Sequence, residues 1–87
     1  MSDFFITFAR SARQELEKLD SPTVSRIFPK IESLAETPRP HGCAKLKGKK
    51  NLWRIRVGDF RILYSIQEEE KVIDIIGVLH RRESYRK

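Results

Sequence analysis

The run Leu52-Trp53-Arg54-Ile55-Arg56-Val57-Gly58-Asp59-Phe60-Arg61-Ile62-Leu63-Tyr64-Ser65-Ile66 constrains the fold of this chain more than any other segment. It predicts two strands joined by the two-residue loop Gly58-Asp59, whose positive φ angles suit the twist of a hairpin. So short a loop fixes the register. Val57 then faces Phe60, Arg56 faces Arg61, Ile55 faces Ile62, Arg54 faces Leu63 and Trp53 faces Tyr64. Strand side chains alternate between faces. One face therefore carries Trp53, Ile55, Val57, Phe60, Ile62 and Tyr64, and is expected to be core. The other carries Arg54, Arg56 and Arg61. Like charges directly opposite in a sheet destabilise it, so Arg56 across from Arg61 points to an anionic partner. Phosphate is the anion that guanidinium groups fit best.

The remaining pattern reads as a strand, two helices, then three strands. Phe4, Ile6 and Phe8 alternate with Phe5 and Thr7, as in a strand buried on at least one face. Ser11 is a candidate cap for a helix running to about Leu19, with Ala12, Leu16 and Leu19 on one stripe. Ser21-Pro22 restarts a helix, because proline in the first turn gives up an N–H that has no partner there. Val24, Ile27, Phe28, Ile31 and Leu34 follow at helical spacing. Pro29 lies inside that stripe, so the helix must kink or start late. Thr37-Pro38-Arg39-Pro40-His41-Gly42 ends it. A basic loop, Lys45 to Asn51, leads into the hairpin, and Glu68-Glu69-Glu70-Lys71 is a polar turn. Val72 to Leu79 is a near-continuous apolar run, usual for a strand buried on both faces. The expected architecture is α+β over residues 1–87 as one domain: a mostly antiparallel sheet with a helical hairpin on one face.

Lys and Arg number 18 against 12 Asp and Glu, a formal charge of +6. That excess favours nucleic acid or an acidic protein as partner. A membrane is disfavoured, since no run approaches the ~20 apolar residues of a spanning helix and no signal-peptide pattern opens the chain. Cys43 is the single cysteine, so no internal disulfide forms and a reducing cytoplasm is the expected compartment. His41 and Cys43 alone do not make a metal site, and no cofactor motif is present.

The basic groups converge on one sheet face. In the simplest register of the Glu-rich turn, Gln67 pairs with Val72 and Arg61 with Val78, which sends His80 to the face of Arg61. Arg81 and Tyr85 lie just beyond. Each group has an ordinary reading by itself: a Lys-rich loop is commonly just solvated, and outer-face arginines are commonly surface charge. Their combination suits RNA, because guanidinium groups hold phosphate and an aromatic ring stacks on a base.

Three segments together resemble toxins of the RelE/ParE superfamily of type II toxin–antitoxin systems. They are Lys45-Leu46-Lys47-Gly48, the hairpin Leu52 to Tyr64, and Ile76-Gly77-Val78-Leu79-His80-Arg81-Arg82-Glu83-Ser84-Tyr85. The Arg-rich face, Arg81 and Tyr85 resemble the RelE subgroup. That resemblance implies an endoribonuclease that enters the ribosomal A site and cuts mRNA. There the RNA's 2′-hydroxyl attacks its own phosphate, leaving a cyclic phosphate and needing no metal. Arg61 and Arg81 would stabilise charge on the phosphate. Arg54 and Arg56 would stand where the best-known RelE pattern has two lysines, and Tyr85 would stack on or orient the scissile nucleotide. Lys45, Lys47, Lys49 and Lys50 would contact RNA backbone.

One of those family lysines is a candidate general base, and arginine at position 54 is a poor one. Either His80 takes the role, which its pKa range suits, or electrostatics and in-line geometry supply most of the rate. The resemblance also implies a RelB-like antitoxin that lays an acidic amphipathic segment on this surface, with operator DNA met only through the antitoxin. Two other functions share the fold: a ParE-type poison of gyrase, and a catalytically inactive binding module.

Overall fold

A computed structural model describes residues 4–48 and 50–81. The elements run β1 (Phe5–Phe8), α1 (Arg10–Glu17), α2 (Ser21–Ser33), β2 (Ala44–Lys45), β3 (Leu52–Val57), β4 (Phe60–Gln67) and β5 (Val72–His80). The strands form one sheet in the order β1-β5-β4-β3-β2. β1 runs parallel to β5, and the other neighbours are antiparallel. The α+β architecture is the expected one. β2 is an addition: the start of the basic loop pairs with β3, Ala44 opposite Arg54 and Lys45 opposite Trp53.

The hairpin takes the register that its loop dictates, with every pair from Val57–Phe60 to Trp53–Tyr64 as read from the sequence. Gly58 has φ +61°, the positive value that its place in the loop requires, whereas Asp59, contrary to expectation, has no positive φ. Alternation then buries Ile55, Ile62, Tyr64 and Ile66 against the helices. Ile27 and Ile31 come down on them from α2, Leu34 from the residue that follows it, Ala12 from α1, and Ile73, Ile75 and Val78 from β5. Each fully buried aliphatic side chain of this kind contributes about 1.5–3 kcal/mol.

The helix starts differ from the expectation. α1 begins after Ala9, which offers no side-chain cap. Ser11 instead donates its hydroxyl to the Ile76 carbonyl at 2.9 Å, tying α1 to β5. Asp20 caps α2, its carboxylate accepting the Thr23 N–H at 3.0 Å. The Thr23 side chain first, and then this backbone N–H, hold the Asp20 carboxyl below its ordinary pKa by hydrogen bonding to it. Proline does sit in the first turn of α2, and the helix continues through Pro29. Of the two readings for Pro29, the late start is excluded. Both Pro29 and Ser25, whose carbonyl loses its N–H partner, are exposed residues.

The last strand departs from its expected register. Gln67 pairs with Val72 and Tyr64 with Ile75, but Leu63 then pairs with Gly77. Ile76 is the extra residue of a β-bulge. Its carbonyl is the one that Ser11 satisfies. β5 also has one covered face rather than two: Ile73, Ile75 and Val78 are buried, while Val72, Ile76 and Leu79 are only half-buried. No helix among the described residues is long and apolar enough to cross a membrane.

Candidate nucleic-acid interface

The face of the sheet turned away from the helices carries Arg54 and Arg56 from β3 and Arg61 from β4. The Arg56 and Arg61 Cα atoms are direct cross-strand partners, and Arg54 stands opposite Leu63. Opposite Leu63 on the far side is Gly77, where an added Cβ would lie 3.6 Å from a Leu63 methyl. Arg54 and Arg61 are half-buried, and Arg56 is exposed. Burial first, and then the charges of Arg56 and Arg61, draw the Arg54 guanidinium below its ordinary pKa. Arginine starts so high that it stays a cation. The sheet thus concentrates positive charge beyond what its own carboxylates balance.

Next to this row is a pocket of about 170 Å³ lined by Arg56, Gly58, Asp59, Phe60, Arg61 and Arg81. Three elements build it: the end of β3, the hairpin loop and first residues of β4, and the residue following β5. Arg81 arrives there because its N–H donates to the Asp59 carbonyl at 2.7 Å. The Asp59 carboxylate also lies 3.7 Å from Arg81 Nη1. Both side chains are about two-thirds exposed, so this is a loose surface pair.

His80 is placed elsewhere. The bulge moves Leu79, not Val78, opposite Arg61, and puts His80 opposite Phe60. The imidazole meets the Phe60 ring edge-on, with centroids 5.1 Å apart. Side chains directly opposite share a face, so His80 stands on the Phe60 side of the sheet and not on the side of Arg61. The sequence expectation for its face is corrected by one inserted residue.

The loop lysines form a second basic patch. Lys45, Lys47 and Lys50 line an open pocket of about 480 Å³ with Leu46 and Gly48. Lys45 pairs with Trp53, so it leaves the strand on the opposite side from Arg54. Lys49 and Tyr85 lie outside the described residues. Sequence reasoning missed Asp59 as a lining group, having used it only as turn chemistry. It also missed Arg26 on α2, whose Nη1 is 3.9 Å from where a Cβ on Gly58 would stand. No local pattern linked α2 to the hairpin loop.

The segment between α2 and β2 is anchored to the other end of the hairpin. Tyr64 donates its hydroxyl to the Pro38 carbonyl at 2.7 Å. Arg39 lies over the Trp53 ring, 5.1 Å from its centroid, and pairs with Glu68. Burial above all, with a smaller contribution from Cys43, pushes the Tyr64 hydroxyl above its ordinary pKa.

Comparison with known proteins gives a consistent result. Residues 6–85 match the family described as ParE toxin of type II toxin-antitoxin system, parDE. The mRNA interferase toxin RelE of Escherichia coli strain K12 is 28% identical over 83 residues, covering 93% of this chain and 86% of its own. The archaeal RelE–RelB complex from Pyrococcus horikoshii superposes with a TM-score of 0.81 at 26% identity, over 98% of this chain and 99% of that one. The intact Escherichia coli RelBE toxin–antitoxin complex gives 0.77 at 27% identity, over 86% and 93%.

Proposed function

The chain belongs to the family of ParE toxins of type II toxin–antitoxin systems, and from that premise we propose that it is a RelE-type endoribonuclease that cuts mRNA on the ribosome. One observation carries the proposal: three arginines from separate segments line one pocket of about 170 Å³, and two of them are forced opposite each other by the hairpin register. The relative named mRNA interferase supports the same reading.

The chemistry uses the substrate's own nucleophile. The 2′-hydroxyl attacks phosphorus, the P–O5′ bond breaks, and the products carry a 2′,3′-cyclic phosphate and a 5′-hydroxyl. Charge rises on the non-bridging oxygens as the new bond forms. In this proposal Arg61, Arg56 and Arg81 are the donors that stabilise that charge. Arg54 adds to the potential from its half-buried site. Tyr85 takes the role of stacking on or orienting the nucleotide, and Lys45, Lys47, Lys49 and Lys50 bind RNA backbone.

Of the two possibilities for the base, the site favours the one without His80. An imidazole packed on Phe60, across the sheet from Arg61, is poorly placed to take a proton from a 2′-hydroxyl held in the arginine pocket. Electrostatic stabilisation and in-line placement then supply most of the rate. Ribosomal RNA would help hold the mRNA in that geometry.

The antitoxin proposal follows from charge. A RelB-like partner with an acidic amphipathic segment would neutralise the arginine face and close the pocket, leaving operator DNA to the antitoxin. The toxin would act in the cytoplasm, where ribosomes are.

The test is a defined mRNA incubated with purified protein, with and without programmed ribosomes, the cuts being mapped by primer extension. Cuts at A-site codons that require ribosomes are expected. Absence of cuts under both conditions, with DNA damage in cells that express the protein, would transfer the reading to a gyrase poison. Harmless expression would leave an inactive binding module.

A further inference from the structure

Asp59 is the single carboxylate among the described residues that line the arginine pocket. A negative charge beside a phosphate site weakens binding of the phosphate, so its presence there calls for an offsetting role. Its contacts supply one. The Asp59 carbonyl accepts the Arg81 N–H at 2.7 Å, and its carboxylate faces Arg81 Nη1 at 3.7 Å. Arg56 and Arg61 project from paired strands, which fix where their side chains start. Arg81 follows the last residue of β5 and is 64% exposed. A long exposed side chain loses rotamer entropy when it is held in one place.

We propose that Asp59 is a positioning residue that biases the Arg81 guanidinium toward the rim of the pocket, where the phosphate would bind. The inference rests on the nuclease reading and deepens it. A guanidinium has five N–H donors, so an approach of Nη1 to a carboxylate leaves the group able to address an anion as well. The Asp59 charge itself opposes an anion in the pocket, while the placement it gives Arg81 favours the rate. The two effects carry opposite signs in binding and in rate, which makes them separable.

Asp59→Asn keeps a side chain suited to the turn and removes the charge. In single-turnover cleavage on programmed ribosomes, the variant is expected to be about three- to fivefold slower, with half-saturation unchanged or at lower protein concentration. In an Arg81→Ala background the same substitution is expected to change the rate less than about twofold, because a residue acting through another has nothing left to position. Asp59→Glu, which keeps the charge, is expected to retain about half the rate or more. A wild-type rate for Asp59→Asn would overturn the inference. So would an undiminished loss in the Arg81→Ala background, or a loss in Asp59→Glu equal to that in Asp59→Asn, which would trace the effect to the turn. Wild-type protein that cuts no ribosome-bound mRNA would overturn the nuclease reading and this inference with it. Normal wild-type cleavage with any of the three contrary results would overturn the inference alone.

Discussion

Replacing Tyr64 by Phe removes one oxygen from the centre of the fold. Tyr64 is fully buried, and its hydroxyl is 2.7 Å from the Pro38 carbonyl. The ring keeps its packing in the variant, so the cavity is no larger than a hydroxyl. Two terms remain. The hydrogen bond itself contributes about 0.5–1.5 kcal/mol, and a carbonyl left without its donor costs about 1–3 kcal/mol if water cannot reach it. Pro38 is half-buried, so water recovers part of the second term. The expected net loss is about 1–2 kcal/mol, which in a domain of this size lowers the melting midpoint by roughly 4–16 °C.

Stability against pH offers a second handle on the same hydroxyl. Folding raises the pKa of Tyr64, chiefly by burial. Its contribution is therefore fully present below the unfolded value near ~10 and is lost as pH rises from there toward the folded value, because only the unfolded state can ionise. Urea unfolding at neutral pH and above pH ~10 measures both effects. Wild type should show a steeper alkaline decline than Tyr64→Phe, with similar m-values at neutral pH. Equal neutral-pH stabilities, or identical alkaline declines, would refute this role for the hydroxyl.

Other expectations concern the basic surface. His80→Gln should cleave within about tenfold of wild type, since its imidazole stands on the Phe60 side of the sheet; a loss of ~100-fold or more in single-turnover cleavage would return the base role to it. Replacing Lys45, Lys47 and Lys50 together by Ala should weaken RNA binding at low salt and flatten its salt dependence. The log–log slope should fall by roughly 0.7 for each single-strand phosphate that these lysines no longer neutralise. A slope equal to wild type in filter binding would remove these lysines from the interface.

How far the sequence could be read depended on what fixed each register. The Gly58-Asp59 loop set every pair of the β3–β4 hairpin, because a two-residue connection allows no slack and alternation carries the faces outward from it. The β4–β5 pairing began as expected at Gln67–Val72 and failed at Ile76. The run Ile73-Asp74-Ile75-Ile76-Gly77-Val78-Leu79 is apolar at nearly every position, so a one-residue slip leaves no trace in its pattern. Gly77 was the remaining sign, since an isolated glycine in a strand often marks a bulge. That slip decides which side of the sheet His80 occupies. The parallel placement of β1 beside β5 also has no local signature, because the pairing joins residues more than sixty positions apart. Ser11 was misread for a related reason: its hydroxyl serves a carbonyl on β5 rather than the start of its own helix. The arginines were legible as a face, but their meeting with Arg81 and Asp59 depends on how the end of β5 lands against the hairpin loop.

In the proposed reaction the arginine face stabilises a phosphate under attack by the neighbouring 2′-hydroxyl. The most direct test of that role is end-group analysis of mRNA cut on programmed ribosomes, with Arg61→Ala beside wild type at matched ribosome occupancy. The expected result is a 2′,3′-cyclic phosphate on one fragment, a 5′-hydroxyl on the other, and a rate about 10²–10³-fold lower in the variant. Fragments bearing 5′-phosphate ends, or an Arg61→Ala rate equal to wild type, would contradict it.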